Sequence, residues 1–337
     1  MSPYNILDDD DSRIAAPADS MLGISVGSII GHDYKNSLSS KNMIAPYSRQ
    51  GPGFAGFRKP DLVAYGANIL LDADNPHNVT TSTDEYSFLI GSNGQLVLDA
   101  GTSFTAPVVA GDLAEISRVV PENNILLAKA LLYHGAIPLW TEEEIDDDEA
   151  EYIGNLYGRG LSVPSISKFS TPHRVTFVRT GELNRKTKEH VKFFMPSVLA
   201  AVPGRNSAKV TVTCVSSPPI DRTKGTQYLG AYIMASLHKV GKEGKMPSVN
   251  PSLKEGRKKW DTCYHFEKTF SRFDAGDWEV WLELFTRWDV EDTLNIPYAI
   301  AITIEDLSKS LDIYNEVLIE TKGRYQPMST VRIPVKL

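Results

Sequence analysis

The hydrophobic pattern of this 337-residue chain changes near residue 140, and this change limits the folds that the chain can adopt. Before it, short apolar runs bounded by glycine, proline, asparagine or serine predict buried strands at Met21–Ile30, Asp61–Ala67 and Gln95–Leu98. Helical spacing follows over Phe104–Arg118 and Asn124–Gly135. This part of the chain is therefore expected to contain both strands and helices.

Beyond residue 170 the pattern is mainly that of β-strands. Turn residues separate nine candidate strands: Arg174–Thr180, Val191–Leu199, Ala208–Val215, Gln227–Ala235, Asp261–Phe270, Asp277–Leu284, Ile296–Ile304, Asn315–Glu320 and Thr330–Val335. This spacing is typical of a β-sandwich or jelly roll, although it does not give the strand order. The closely spaced Trp278, Trp281 and Trp288 fit a sandwich core, and a carbohydrate or peptide platform is the alternative.

A strongly acidic stretch separates the two patterns. Thr141–Glu151 holds eight acidic residues, and their mutual repulsion predicts a solvated linker or exposed loop. We therefore expect an α/β plus all-β protein, with a first domain at 1–140, a linker region at 141–169 and a β-sandwich domain at 170–337.

Composition excludes several classes of protein. A net charge of −7 argues against a nucleic-acid binder, and no run approaches the roughly 18 apolar residues of a membrane span. The start of the chain has no apolar run, so we expect no signal peptide and a cytoplasmic location. Cys214 and Cys263 are expected to be free thiols, with a bridge between them as the alternative. No cofactor-binding or metal-binding pattern occurs, so we expect neither group.

Residues 101–111, GTSFTAPVVAG, are the segment most specific for chemistry. Ser103 lies where a turn opens a helix, and Pro107 is expected in the first helical turn, where a missing N–H costs little. A helix N-terminus favours both a nucleophilic oxygen and a developing oxyanion. A serine that merely caps a core helix is the alternative.

Together with three further blocks, this segment resembles the subtilisin-like serine proteases over residues of about 12–137. Residues 101–111 are similar to the family's G-T-S-x-x-A-P-h-V-A-G signature, which holds the nucleophilic serine. The other blocks are PADSMLGISVGS at 17–28, APYSRQGP at 45–52 and KPDLVAYG at 59–66, where Tyr65 replaces the usual proline. The resemblance implies a parallel sheet with flanking helices and a serine endopeptidase activity on polypeptide substrates.

The resemblance also implies site residues. Ser103 would be the nucleophile, and its backbone N–H would form half of the oxyanion hole, which Thr102 flanks. Asn5 lies at about the distance of the family's oxyanion asparagine, but its neighbours do not match. Ala15, Ala16, Pro17, Ala18 and Asp19 resemble the wall of the substrate pocket.

The family's catalytic aspartate and histidine blocks have no counterpart among the 102 residues before Ser103. His32 and His77 are the histidines upstream, and we interpret both as surface loop residues. We therefore expect the C-terminal part of a subtilase catalytic domain, inactive as an isolated chain because a serine without a base is a poor nucleophile. A split protease and a non-enzymatic interaction module stay open as alternatives.

Four expectations about partners follow. The missing catalytic segment would be supplied in cis or in trans. The truncated sheet edge would favour self-association. We expect no nucleic-acid or membrane partner. A weaker similarity of the second half to intracellular bacterial subtilases suggests an AAA-type ATPase partner.

Overall fold

The computed structural model describes residues 10–72, 74–75, 78–80, 87–139, 147–201, 208–241, 245–250 and 260–325, and it divides into two compact units. The first unit holds the described residues of Met1–Leu113 and Ala136–Val163. The second holds those of Ala114–Gly135, Pro164–Leu253 and Lys259–Leu337. The domain borders that we predict at residues 140 and 170 stay predictions.

The first unit contains a parallel strand pair. β1 (Val26–Ile30) runs parallel to β2 (Leu62–Gly66), with Val26 opposite Leu62. Both strands lie within the predicted segments but are shorter. Ile29, Leu62 and Val63 have no exposed surface, so both strands are apolar almost throughout, as parallel strands usually are.

Antiparallel pairs follow along the chain. β3 (Leu70–Leu71) pairs with β4 (Val79–Thr80). β5 (Ser87–Ile90) and β6 (Leu96–Asp99) form a hairpin that ends just before the first α-helix. The sequence predicts β6 but neither β3, β4 nor β5.

Six α-helices occur in the described residues. Both helices predicted from periodicity are present, each within two residues of the expected bounds. The helices are α1 (Thr102–Ser117), α2 (Ile125–His134), α3 (Asp147–Tyr157), α4 (Pro164–Ser167), α5 (Ser197–Ala200) and α6 (Ile313–Glu320). The 3-10 helices are Asp10–Ser12, Phe54–Gly56, Pro121–Asn123 and Arg222–Gln227.

Helix α3 corrects the prediction of a loop over Thr141–Glu151, whose residues from Asp147 onward are helical. Leu156 and Tyr157 are buried in a cluster with Ile29, Ile44 and Val63. This packing stabilises the helix. Glu149 lies in its first turn, where the helix dipole favours negative charge. Residues 141–146 lie outside the described residues.

The second unit is built on two antiparallel sheets. The four-stranded sheet has the order β11-β9-β13-β7, and the three-stranded sheet has the order β10-β12-β8. The strands are β7 (Arg174–Leu183), β8 (Lys188–Met195), β9 (Ala208–Ser216), β10 (Ala231–His238), β11 (Cys263–Phe270), β12 (Gly276–Thr286) and β13 (Ile296–Asp306). All seven overlap predicted strands, and side chains from both sheets share one hydrophobic cluster. The predicted strand Val191–Leu199 is wrong at its end, where Ser197–Ala200 is helical, and β10 begins four residues after the predicted Gln227. The chain is therefore a mixed α/β protein with several antiparallel sheets.

In strand β13, isoleucine and alanine alternate, so that each face of the sheet carries one of the two residue types. Ile300, Ile302 and Ile304 belong to the hydrophobic cluster, whereas the alternating Ala299 and Ala301 do not, although they are fully buried. Helix α2 packs against β9 and β13. The small alanines let that helix approach the sheet, while the isoleucines fill the core.

Two predictions in the second half have other outcomes. Asn315–Glu320 is not a strand but lies within α6, because Asp312 caps the helix and Ile313 and Val317, four residues apart, are buried in the core. The predicted strand at Thr330–Val335 lies outside the described residues.

The two cysteines are free and buried, as expected. Cys263 is opposite Val215 in the β11–β9 pair, and Cys214 is opposite Tyr264. Because side chains alternate between the two faces of a sheet, the two thiols point to opposite faces and cannot form a bridge.

Among the described residues, no helix combines the length and the apolar character that crossing a membrane requires.

Candidate active site

Ser103 is the second residue of α1, and its side chain is exposed. Thr102 and Phe104 on either side are half-buried. The first backbone N–H groups of an α-helix have no partner within the helix, and they give this end a partial positive charge. The serine hydroxyl is therefore accessible at a helix end that stabilises a developing negative charge.

Thr105 anchors this first turn in the first unit. It is 1% exposed, and its hydroxyl donates to the Thr102 carbonyl over 3.0 Å. A Cβ at Gly66, the last residue of β2, would lie 3.1 Å from Thr105 Cγ2 and 2.8 Å from the Tyr47 hydroxyl, and it would overlap Ser28 Oγ. Only glycine fits, and residues from all four sequence blocks that carry the resemblance meet at this position.

Hydrogen bonds connect the same blocks. The Tyr47 hydroxyl donates to the Ala67 carbonyl over 2.8 Å and lies 3.1 Å from Ser28 Oγ. Ser48 Oγ accepts from the Ser28 backbone N–H over 3.0 Å. The middle of β1 and the segment after β2 are thus connected through Tyr47 and Ser48, and Thr105 of α1 lies beside Gly66.

One face of α1 is exposed over most of the helix. Its exposed residues are mainly small or apolar, and Val108 is 54% exposed. Six of them share one side at helical spacing from the serine onward, and Val108 lies next to this side: Ser103, Ala106, Pro107, Ala110, Gly111 and Ala114. Thr105, Val109 and Ile116 are buried on the opposite side. The site serine therefore lies at one end of an uncovered apolar helix face.

The sequence predicts Pro107 in the first helical turn, and this prediction is wrong. Pro107 is the sixth residue of α1, which begins at Thr102, earlier than expected. Because proline has no N–H, the Ser103 carbonyl lacks the donor that residue i+4 normally supplies. The start of the helix, set by the packing of Thr105, was not evident from periodicity.

The predicted pocket wall is a turn on the surface. Ala15, Ala16, Pro17 and Ala18 are exposed, and Asp19 is half-buried. The Ala18 N–H donates to the Ala15 carbonyl over 2.9 Å, and the Ser20 N–H donates to the Pro17 carbonyl over 3.1 Å. Among the described contacts, none joins this turn to Ser103.

The remaining candidate residues, Asn5, His77 and His32, have no described contact with Ser103. Asn5 and His77 lie outside the described residues, and His32 is exposed in the turn after β1. Within the described part of the chain, Ser103 Oγ makes no hydrogen bond to a histidine or to another residue. No group of three or more His, Cys, Asp or Glu side chains in that part could hold a metal ion.

The structure contains two buried polar clusters that the sequence did not predict. In the first unit, the Lys59 ammonium lies 2.5 Å from the Asp61 carboxylate, with 2% of the lysine side chain exposed. In the second unit, His134 bonds to Thr213 and Thr303. The K-P-D segment contained the first pair, but sequence spacing cannot show that a lysine is buried.

The tryptophans of β12 have separate environments. Trp278 is fully buried in the core. Trp281 is stacked between His190, with ring centres 4.4 Å apart, and His238, with ring centres 3.8 Å apart. Because both faces of the Trp281 ring are covered, it is not available as a platform for a sugar or peptide.

Comparisons with known proteins give one family. Residues 5–160 match the model of the subtilase family. Serine protease AprX of Bacillus subtilis is 31% identical over 151 residues, which cover 45% of this chain and 30% of that protein. An uncharacterized protein, y4bN, of Sinorhizobium fredii is 28% identical over 233 residues, which cover 63% of this chain and 53% of that protein.

The chain thus spans about half the length of one of these relatives and under a third of the other. Among solved structures, one of the infectious bursal disease virus Gt strain aligns with 41% of this chain and 32% of its own, at 8% identity and a TM-score of 0.26. This TM-score is too low to indicate a shared fold.

Proposed function

The chain belongs to the subtilase family through residues 5–160, and from this we propose that Ser103 is the nucleophile of a serine endopeptidase. The observation that supports this most directly is the exposed Ser103 side chain at the start of α1, inside the matched segment. A polypeptide is the proposed substrate.

The proposed reaction proceeds through an acyl-enzyme. Ser103 Oγ attacks the carbonyl carbon of the scissile peptide bond and gives its proton to a base. The oxyanion that forms is stabilised by the Ser103 backbone N–H at the helix end, with Thr102 beside it. The protonated amine then leaves, and water hydrolyses the ester to release the acid and restore the hydroxyl.

A base and an orienting acid must come from outside the described residues. We propose that a histidine and an aspartate are supplied by further polypeptide, in the same chain or in another, that covers the exposed face of α1. Burial of Val108 and its small neighbours would favour this docking. The described residues alone are therefore expected to have little or no peptidase activity.

The finer assignments belong to the same proposal. Asn5 would be a further oxyanion donor, and Ala15, Ala16, Pro17, Ala18 and Asp19 would form a wall of the substrate pocket. We also propose that the two sheets of the second unit form a β-sandwich that serves as a separate domain, and that the protein acts in the cytoplasm.

A non-enzymatic interaction module is the second candidate. It is favoured by one observation: within the described residues, Ser103 Oγ makes no hydrogen bond to a histidine. In that case the first unit would be a scaffold, and Ser103→Ala would leave the biological activity of the protein unchanged.

Labelling with a fluorophosphonate probe tests the proposal, because such probes react with activated serines. We expect the pure protein to react slowly or not at all, and to react at least tenfold faster in a lysate of its source cells. Peptide mapping should place the label on Ser103.

Two variants serve as controls. Ser103→Ala should abolish the label, whereas Ser117→Ala, at the other end of α1, should leave it unchanged. Equal labelling of Ser103→Ala would contradict the assignment of the nucleophile. Strong, Ser103-dependent cleavage of casein by the pure protein would show that the base lies within this chain.

A further inference from the structure

A buried lysine lies beneath the segment that follows the proposed pocket wall. The Lys59 side chain is 2% exposed, and its ammonium lies 2.5 Å from Asp61 Oδ2 and donates to the Gly23 carbonyl over 3.1 Å. We infer that Lys59 is a positioning residue that holds Gly23–Ser25 and, through it, the turn Ala15–Asp19. The assignment of that turn as a pocket wall rests on the proposed function, whereas its anchoring by Lys59 does not.

Two glycines shape the channel through which the lysine passes. A Cβ at Gly53 would lie 2.7 Å from Lys59 Cγ, and one at Gly51 would overlap the Lys59 carbonyl oxygen. The lysine stem therefore fills the space of a side chain at Gly53, and the Lys59 backbone fills that of a side chain at Gly51. This packing requires glycine at both positions of the segment G-P-G at 51–53.

Asp61 connects the ammonium to the chain before β1. Its Oδ2 accepts from the Ser25 backbone N–H over 2.9 Å and from Ser25 Oγ over 3.2 Å, while Oδ1 accepts from Arg159 over 3.4 Å. The Asp61 N–H donates in turn to the Ser25 carbonyl over 2.9 Å. Two cations and one carboxylate thus lie together in a buried position, where removal of one charge is strongly destabilising.

The turn itself is held mainly at its two ends. On the N-terminal side, the Ile14 N–H donates to the Gln50 carbonyl over 2.7 Å. On the C-terminal side, Met21 is buried, and the hydrogen bonds at Gly23–Ser25 follow. Since residues 15–18 are exposed between these points, their position depends on both anchors. Lys59 supplies one of them.

Amide hydrogen exchange of the full chain, read by mass spectrometry, tests the anchor. In Lys59→Met, which keeps the volume but removes the charge, we expect peptides spanning residues 20–25 to exchange at least tenfold faster. Peptides covering Leu62–Gly66 should stay protected. The exposed Lys35→Met is the matched control and should change neither region.

Chemical rescue separates the charge from the packing. In Lys59→Ala, methylammonium chloride should restore protection of residues 20–25, and sodium chloride at the same ionic strength should not. Gly53→Ala displaces the lysine stem and should reproduce the faster exchange, which keeps the test decisive where Lys59→Met does not fold. Unchanged exchange in both Lys59→Met and Gly53→Ala would overturn the inference.

A second readout distinguishes this inference from the proposed function. Two probes are compared in the lysate in which Ser103 is labelled: a peptidyl phosphonate, which needs the pocket wall, and a simple fluorophosphonate, which does not. Lys59→Met should slow labelling by the peptidyl phosphonate about tenfold more than labelling by the fluorophosphonate. Equal slowing of both probes would overturn the link to the pocket. Faster exchange without any Ser103 labelling would refute the proposed function and leave the anchor intact.

Discussion

At the scale of single residues, His134 shows how a polar side chain is kept inside the second unit. Its Nδ1 lies 2.8 Å from Thr213 Oγ1, and its Nε2 lies 2.6 Å from Thr303 Oγ1. Thr213 in turn contacts His265 over 2.7 Å, and Thr303 contacts Thr176 over 2.8 Å. The network joins the end of α2 to the sheet and gives both ring nitrogens a partner, which a buried imidazole requires.

The pKa of His134 is lowered to about 3, first by burial and then by the nearby charges of His265, Arg174 and Lys209. The native state therefore keeps this ring neutral, while the unfolded chain takes up a proton below about pH 6.5. Stability is thus fully present above pH 6.5 and falls as the pH drops towards 3.

We expect the free energy of unfolding to fall by about 2 kcal/mol more in the wild-type protein than in His134→Gln between pH 7 and pH 5. Urea unfolding at the two pH values measures this difference. His32→Gln, at an exposed position, should follow the wild-type protein. Parallel pH dependence of the wild-type protein and His134→Gln would show that this histidine is not kept neutral.

Gly158 allows a close backbone approach after α3. Its φ of +61° is unfavourable for other residues, and a Cβ would lie 2.6 Å from the Asp61 carbonyl carbon. Gly158→Ala should therefore lower the free energy of unfolding by about 3 kcal/mol or more. Gly94→Ala is the matched control, because Gly94 also has a positive φ but open space around it, and it should cost about 1 kcal/mol. Thermal and urea unfolding of the two variants compares them, and equal losses would argue against the close approach.

At the scale of elements, the cap of α6 decides between helix and strand. The sequence predicts a strand over Asn315–Glu320, which contains the β-branched Val317 and Ile319. Asp312 accepts from the Asn315 backbone N–H over 3.1 Å, and its other oxygen accepts from the Asn315 side chain over 2.6 Å. An N-cap and two buried residues one turn apart outweigh the strand propensity of so short a segment.

Asp312→Ala should lower the free energy of unfolding by about 1 kcal/mol, since the first turn of α6 loses its acceptor. Asp312→Ser, which keeps an oxygen at the cap, should retain most of the stability. Urea unfolding of the three proteins measures the effect. A loss in Asp312→Ser as large as in Asp312→Ala would indicate that the carboxylate acts by charge rather than as a cap.

At the scale of the whole molecule, large apolar side chains are exposed near the proposed site in the first unit. Ile90 is 81% exposed and Leu96, opposite it in the β5–β6 hairpin, is 72% exposed. Val97 and Val108 are also exposed. Exposed apolar side chains that lie together, such as the cross-strand pair Ile90 and Leu96, often mark an interaction site or favour association.

We expect the pure protein to self-associate through this apolar surface. The double variant Ile90→Lys/Leu96→Glu should shift sedimentation velocity profiles towards the monomer. Ile319→Lys is the matched control, because Ile319 is 67% exposed but lies in α6 of the second unit, and it should leave association unchanged. A wild-type protein that stays monomeric at the highest concentration tested would contradict the prediction.

Sequence patterns predicted much of this protein where the signal is local. Apolar residues recur at regular short spacing in the seven strands of the two sheets and in α1 and α2, and the serine motif is contiguous. Both kinds of signal can be recognised without knowledge of distant contacts. The family assignment followed from such motifs and agrees with the family match over residues 5–160. The roles of Thr102, Asn5 and the Ala15–Asp19 turn stay predictions.

Only the tertiary structure decided what depends on residues far apart in the chain. The order β11-β9-β13-β7 places β9 beside β13, and periodicity carries no information about such neighbours. The buried Lys59 and His134 have partners dozens of residues away, so their sequence context alone would suggest a surface lysine and a helix-end histidine. The spacing of apolar residues is a property of neighbouring positions in the chain, whereas the burial and pairing of polar groups depend on contacts between distant segments.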